Sequence, residues 1–137
     1  MSDFNDVMSE YWKVIAKKEQ KKKTSAERGE KVYDVKGTKF KCEEIKEMFE
    51  SGGVILDVRD PIDYAGGGVI HNSINVPAAN VVKWVIGNSQ ITKNTPILLY
   101  CDTGTTSQSV KDELQMQTIG YKNVHNIGSH KWYPHCS

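Results

Sequence analysis

Apolar residues in this chain come in short runs divided by polar, glycine-rich turns, and the period of the runs changes along its length. Near the N-terminus Phe4, Val7, Met8, Tyr11, Trp12 and Ile15 recur at the three- and four-residue spacing of one helix face. Lys17, Lys18, Lys21, Lys22 and Lys23 crowd the next turns, and residues 24–29 have the composition of a linker. Beyond them, residues 32–35 predict a strand. Residues 42–50 predict a helix with Ile45, Met48 and Phe49 on one face, ended by Ser51, Gly52 and Gly53. Residues 54–58 form a strand apolar enough to lie inside a sheet. Asp60 and Pro61 then have the order of a helix N-cap and first helical position.

After Gly66, Gly67 and Gly68 the pattern predicts a strand at 73–76 and a helix at 78–86. A strand at 97–101 follows, then a helix at 107–116 with Val110 and Leu114 on one side. Gly120 stops the chain before a last strand at 122–127. Strands alternating with helices imply an α/β fold, an open and mostly parallel sheet flanked by helices. The expected organisation is an amphipathic, lysine-rich helical extension and linker over residues 1–30 and one domain over residues 31–137. The extension offers a partner or dimer contact.

Charge and cysteine usage narrow the classes. The chain has 137 residues, with 18 Lys and Arg against 17 Asp and Glu, so it lacks the basic excess of a nucleic-acid binder and no nucleic-acid partner is expected. Its arginines are Arg28 and Arg59, which leaves little bidentate anion-clamping capacity. Cys42, Cys101 and Cys136 show no framework spacing and fit free thiols in a reducing compartment. No apolar run has the length of a membrane span, and the first residues do not resemble a secretory leader. A cytoplasmic location without a transmembrane segment is the expectation.

Cys101 carries the candidate chemistry. It ends a buried strand and precedes Asp102, Thr103, Gly104, Thr105 and Thr106, small residues whose N–H groups can wrap round an atom, with a helix following. A sulfur there faces a helix N-terminus, where the dipole and unpaired N–H groups favour an anion. Reactive loops of α/β sheets gather at the carboxyl ends of the strands, which is where this loop falls. Against this stands the ordinary reading of a buried, inert cysteine. For Cys42, burial is the expected state. Cys136 reads as an exposed terminal thiol, or one able to attack a modified Cys101. His130, His135 and Cys136 are too few and too loosely spaced for a structural zinc site, so no metal is implied.

Four segments in order resemble single-domain rhodaneses. Residues 54–64, Val-Ile-Leu-Asp-Val-Arg-Asp-Pro-Ile-Asp-Tyr, are similar to that family's strand, D-V-R and acidic-Pro helix. Residues 69–77 resemble its H-I-P-G-A-I-N-I-P element, residues 97–104 its active-site strand and loop, and residues 120–128 its closing G-F-x-N-V-x-x-L-x-G strand. The resemblance covers roughly residues 36–132 and implies a sulfurtransferase without a cofactor. In that family a cysteine takes a sulfane sulfur from thiosulfate, a polysulfide or a protein persulfide and passes it to a thiol or cyanide.

Carried over residue by residue, Cys101 is the sulfur carrier and residues 102–106 its anion cradle. Asp57, Arg59 and Ser107 are supporting residues: Arg59 as an ion-paired brace at the sheet end or an anion ligand facing the loop, Asp57 as a loop-bracing acceptor, Ser107 as a helix cap. Departures are plain. Thr106 stands where the loop commonly has arginine, and Asp102 where a basic residue is common. The acidic loop is expected to disfavour dianionic thiosulfate. An interaction module on the same fold is the alternative function. A phosphatase needs an arginine at the sixth residue after its cysteine, and here that residue is Ser107.

Overall fold

The computed structural model describes residues 35–136. The expected N-terminal helix and linker, and the 32–35 strand apart from Val35, lie outside the described residues. Val35 is not in a strand. The described elements are α1 (Cys42–Glu50), β1 (Val54–Asp57), α2 (Pro61–Ala65), β2 (Ile74–Asn75) and a 3-10 turn (Ala78–Asn80). They continue with α3 (Val81–Ile86), β3 (Ile97–Cys101), α4 (Thr105–Leu114), β4 (Val124–Ser129) and a final 3-10 turn (His130–Trp132).

The strands form a four-stranded sheet in the order β2-β1-β3-β4, every pair parallel. Strand β3 lies inside the sheet with all five residues buried, which is why its sequence is a continuous apolar run. Its period of two divides the core. Ile97, Leu99 and Cys101 face one layer with Leu56, Val58, Val81, Val85, Val110, Leu114 and Val124. Leu98 and Tyr100 face the other with Ile45, Ile55, Ile70, Ile127 and Tyr133. Cys101 therefore points to the α3 and α4 side, and α1 with the C-terminal tail covers the opposite face. Among the described residues no helix is long and apolar enough to cross a membrane.

Several boundaries differ from the sequence pattern. Helix α4 begins at Thr105, two residues before the expected start, because Gly104 takes a left-handed conformation (φ 73°) that turns the chain directly into the helix. The expected 78–86 helix is a 3-10 turn followed by α3. The last strand runs from Val124 to Ser129, displaced toward the C-terminus, with a register shift opposite Leu99 and Tyr100. Tyr121, just before that strand, is buried in the core.

The cysteine expectations are overturned. Cys42 is exposed rather than buried, and it forms a disulfide with Cys136, their Cα atoms 5.4 Å apart. Cys136 is thus neither a free terminal thiol nor a partner for Cys101, which is the free cysteine. The bond joins the first residue of α1 to the tail. Tyr133 anchors the same tail, its hydroxyl accepting from the Phe40 N–H and donating to the Ile127 carbonyl.

Tyr100, like Tyr133, brings a hydroxyl into the second layer. Its hydroxyl accepts from the Ile70 N–H at 3.1 Å and bonds Ser73 Oγ at 2.8 Å, which ties the 70–73 turn to the sheet. Burial pushes its pKa up to about 12, so it stays neutral at physiological pH. Tyr100→Phe leaves a buried N–H without its acceptor and is expected to cost about 1–3 kcal/mol. Urea denaturation measures this; a loss below about 0.5 kcal/mol would show that the turn finds another acceptor.

Candidate active site

Cys101 ends β3 at the carboxyl edge of the sheet, opposite Ser129 of β4. Its side chain is nearly enclosed, 4% exposed. The Gly104 N–H donates to Sγ at 3.1 Å, and Ser107 Oγ lies 3.5 Å from it. Gly104 admits no side chain: besides its positive φ, a Cβ there would come 1.7 Å from the Lys36 carbonyl oxygen. That carbonyl belongs to a segment fastened over the loop, where the Lys36 N–H donates to the Thr103 carbonyl at 2.8 Å.

Behind the loop is a buried polar network that sequence reasoning missed. Ser107 is not a cap; it lies inside α4, fully buried, and donates to Asn126 Oδ1 at 2.7 Å. The same Oδ1 accepts from the Gly128 N–H, while Asn126 Nδ2 donates to the Gly104 carbonyl and to Gln108 Oε1. All four bonding positions of the amide are used, which fixes which end is oxygen. The Ser107 proton is committed to Asn126, so in the thiol form the Cys101 S–H is the donor toward Ser107 Oγ. Asn126 thus locks the turn that aims Gly104 at the sulfur. The signal for it was present: an amide at an inward-facing strand position requires partners.

Asp57 and Arg59, read separately from the sequence, are brought together as a pair. Both are buried, and Arg59 Nη2 lies 2.7 Å from Asp57 Oδ2, with Nε also bonded to the carboxylate. Arg59 Nη2 further donates to the Gly67 carbonyl. Hydrogen bonding to Asp57 raises the guanidinium pKa against the opposing effect of burial. Asp102 is not an isolated charge. Its Oδ1 is 2.7 Å from His130 Nε2 and 3.8 Å from Arg59 Nη1. The tail histidine was weighed in the sequence only as a metal ligand; among the described residues no group of three or more such ligands could hold a metal.

Of the other loop residues, Thr103 Oγ1 donates to Thr105 Oγ1, and Thr105 and Thr106 belong to the first turn of α4 rather than to a loop. The sulfur-facing turn is therefore residues 101–104. Single-turn loop, helix N-terminus and strand-end thiol together define a cysteine-loop α/β protein.

A family model, Rhodanese-like domain, matches residues 41–134. The chain belongs to the rhodanese-like domain family. Solved structures agree on the fold. The human single-domain sulfurtransferase TSTD1 superposes with a TM-score of 0.56 at 14% identity, covering 74% of this chain and all of its own. A Saccharomyces cerevisiae protein gives 0.53 at 22% identity, covering 71% of this chain and 90% of its own. The Bacillus anthracis protein CoADR-RHD in its reduced form gives 0.53 at 24%, covering 70% of this chain and 16% of its own. No curated protein sequence matches the chain.

Proposed function

We propose that this protein is a sulfurtransferase in which Cys101 carries sulfur as a persulfide. The observation that carries the reading is the free thiol at the end of β3, held against the Gly104 N–H at the start of α4. An N–H donor and a helix N-terminus both favour an anionic sulfur, as thiolate or as persulfide. The Cys101 thiolate attacks the outer sulfur of thiosulfate and releases sulfite, or shortens a polysulfide or protein persulfide by one sulfur. An acceptor thiolate, or cyanide, then attacks the outer sulfur of the persulfide. The product is a new persulfide or thiocyanate, and the Cys101 thiolate returns. Two half-reactions through one covalent intermediate give ping-pong kinetics.

Residues 102–106 supply the remaining polar surface in this proposal, and Asp57, Arg59 and Ser107 hold the loop in place. Small sulfur donors, thiol acceptors and a protein persulfide are the partners, with the N-terminal extension as a docking element. The Cys42–Cys136 bond argues against the cytoplasmic setting expected from the sequence, since disulfides persist mainly in oxidising compartments.

The test is intact mass after the protein, its disulfide left in place, meets polysulfide or thiosulfate. A gain of one sulfur, about 32 Da, followed by its loss to cyanide is the expected result for a covalent carrier. No gain from either compound on folded protein would favour the alternative, a rhodanese-fold interaction module. Asp102 at the loop mouth, in a turn without arginine, is the observation on that side.

A further inference from the structure

On the face of the sheet opposite Cys101, α1, the turn before β2 and the C-terminal tail surround a cavity of about 450 Å³. Its floor is apolar: Ile45 and Phe49 from α1, Ile55 from β1, and Ile70. Ile45, Ile55 and Ile70 are buried and Phe49 is half-buried. The volume falls in the range that holds a small organic molecule. Lys46 and Glu50, on the rim, lie 3.9 Å from each other, so the apolar floor is the feature that selects a ligand.

One wall is the Cys42–Cys136 disulfide, and both cysteines line the cavity. Its two halves differ. Cys42 is exposed, while Cys136 is half-buried and packs against the second layer of the core. The chain at Cys136 is also held without its sulfur. Its N–H donates to the Tyr133 carbonyl at 3.1 Å, and its carbonyl accepts from the His71 N–H at 3.0 Å. Opening the bond therefore leaves the Cys136 sulfur beside its partner. An electrophilic S–S bond in the wall of an apolar cavity is matched to one class of reactant, a thiol.

We propose that this cavity is a thiol–disulfide exchange site for small thiols with an apolar body. The thiolate of the bound molecule attacks Cys42 Sγ, the exposed end. A new S–S bond joins the ligand to Cys42, the Cys42–Cys136 bond breaks, and its electron pair leaves on Cys136 Sγ as thiolate. A second molecule of the thiol then attacks the ligand's sulfur. The two ligands leave as their symmetric disulfide, and Cys42 is left as thiolate. Two thiols have then lost two electrons to the protein disulfide, and their protons pass to solvent and to the protein sulfurs. The activity lies beyond the sulfur transfer proposed above and uses neither Cys101 nor its loop.

The experiment compares benzyl mercaptan with 2-mercaptoethanol, at equal thiolate concentrations, on the oxidised full-length Cys101→Ser protein. Aliquots are quenched with N-ethylmaleimide and read by intact mass and peptide mapping. In the mixed disulfide the thiol should map to Cys42 and the maleimide to Cys136. Loss of the disulfide to benzyl mercaptan should saturate with concentration. At low concentration it should run about tenfold faster than with 2-mercaptoethanol, whose rate should stay linear. Benzyl alcohol, the same body without the sulfur, should slow benzyl mercaptan competitively. Phe49→Ala, checked by a thermal melt, should lose most of the tenfold preference; if it does not fold, saturation and competition on the Cys101→Ser protein decide.

Equal rate constants for the two thiols, both linear in concentration, would overturn the proposal, since a merely structural bond open to solvent discriminates thiols by their basicity. So would benzyl alcohol without effect, or a disulfide that neither thiol opens. Loss of the disulfide with the thiol mapped to Cys136, or never found on Cys42, would overturn the attack at Cys42.

Discussion

Cys101→Ser is expected to take up no sulfur from any donor, while wild type gains one atom per chain. Persulfide formation needs a polarisable thiolate that can attack a sulfane sulfur and then hold an S–S bond. A serine hydroxyl at this position supplies neither the anion nor the bond. No second thiol stands ready to substitute, because Cys42 and Cys136 are joined to each other. The fold should survive the change. The site already holds polar contacts, the Gly104 N–H and Ser107 Oγ, that accommodate an oxygen. The destabilisation should therefore stay near the ordinary value for a point change, about 1 kcal/mol. Intact mass with and without cyanide, beside a thermal melt, reads both quantities. Undiminished loading of the serine variant under non-reducing conditions would remove Cys101 from the chemistry.

How far the sequence carried this site can be traced residue by residue. Strand β3 and helix α1 have the bounds that periodicity predicts, since one is buried on both faces and the other has a clear apolar stripe. The start of α4 was misplaced because Thr105 and Thr106 are β-branched and read as loop, whereas Gly104 turns the chain into the helix at once. Cys101 was legible from its place between an apolar run and a small-residue turn. Its supporting network was less so: Asn126 meets Ser107 and Gly104 only after β4 has paired with β3. The Asp102–His130 contact joins residues 28 apart in sequence, and no local pattern announces it. Asp102 read alone suggested a loop that repels anions; in the fold its carboxylate has partners, His130 Nε2 at 2.7 Å and Arg59 Nη1 at 3.8 Å.

Reducing the Cys42–Cys136 bond is expected to lower the melting temperature more than any single surface change. The bond closes a loop of 94 residues in sequence separation, nearly the whole described domain. On the chain-entropy account, a loop of that size restrains the unfolded chain by about 4–5 kcal/mol. For a domain of roughly a hundred residues each kcal/mol moves the midpoint by about 4–8 °C, so the shift should be roughly 16–40 °C. Dithiothreitol should produce it in wild type and leave the double variant Cys42→Ser/Cys136→Ser, already low, where it is. The native state offers other anchors for the tail: Tyr133 bonded to Phe40 and Ile127, and the His71 N–H donating to the Cys136 carbonyl at 3.0 Å. Those contacts hold the tail in the folded form whether or not the sulfurs are joined, so they predict a reduced protein that is folded but less stable. A midpoint unmoved by reductant would mean that they suffice, and that the bond adds nothing a reducing compartment would remove. A large shift would instead show that the native contacts of the tail leave most of the stability of this end of the domain to the disulfide.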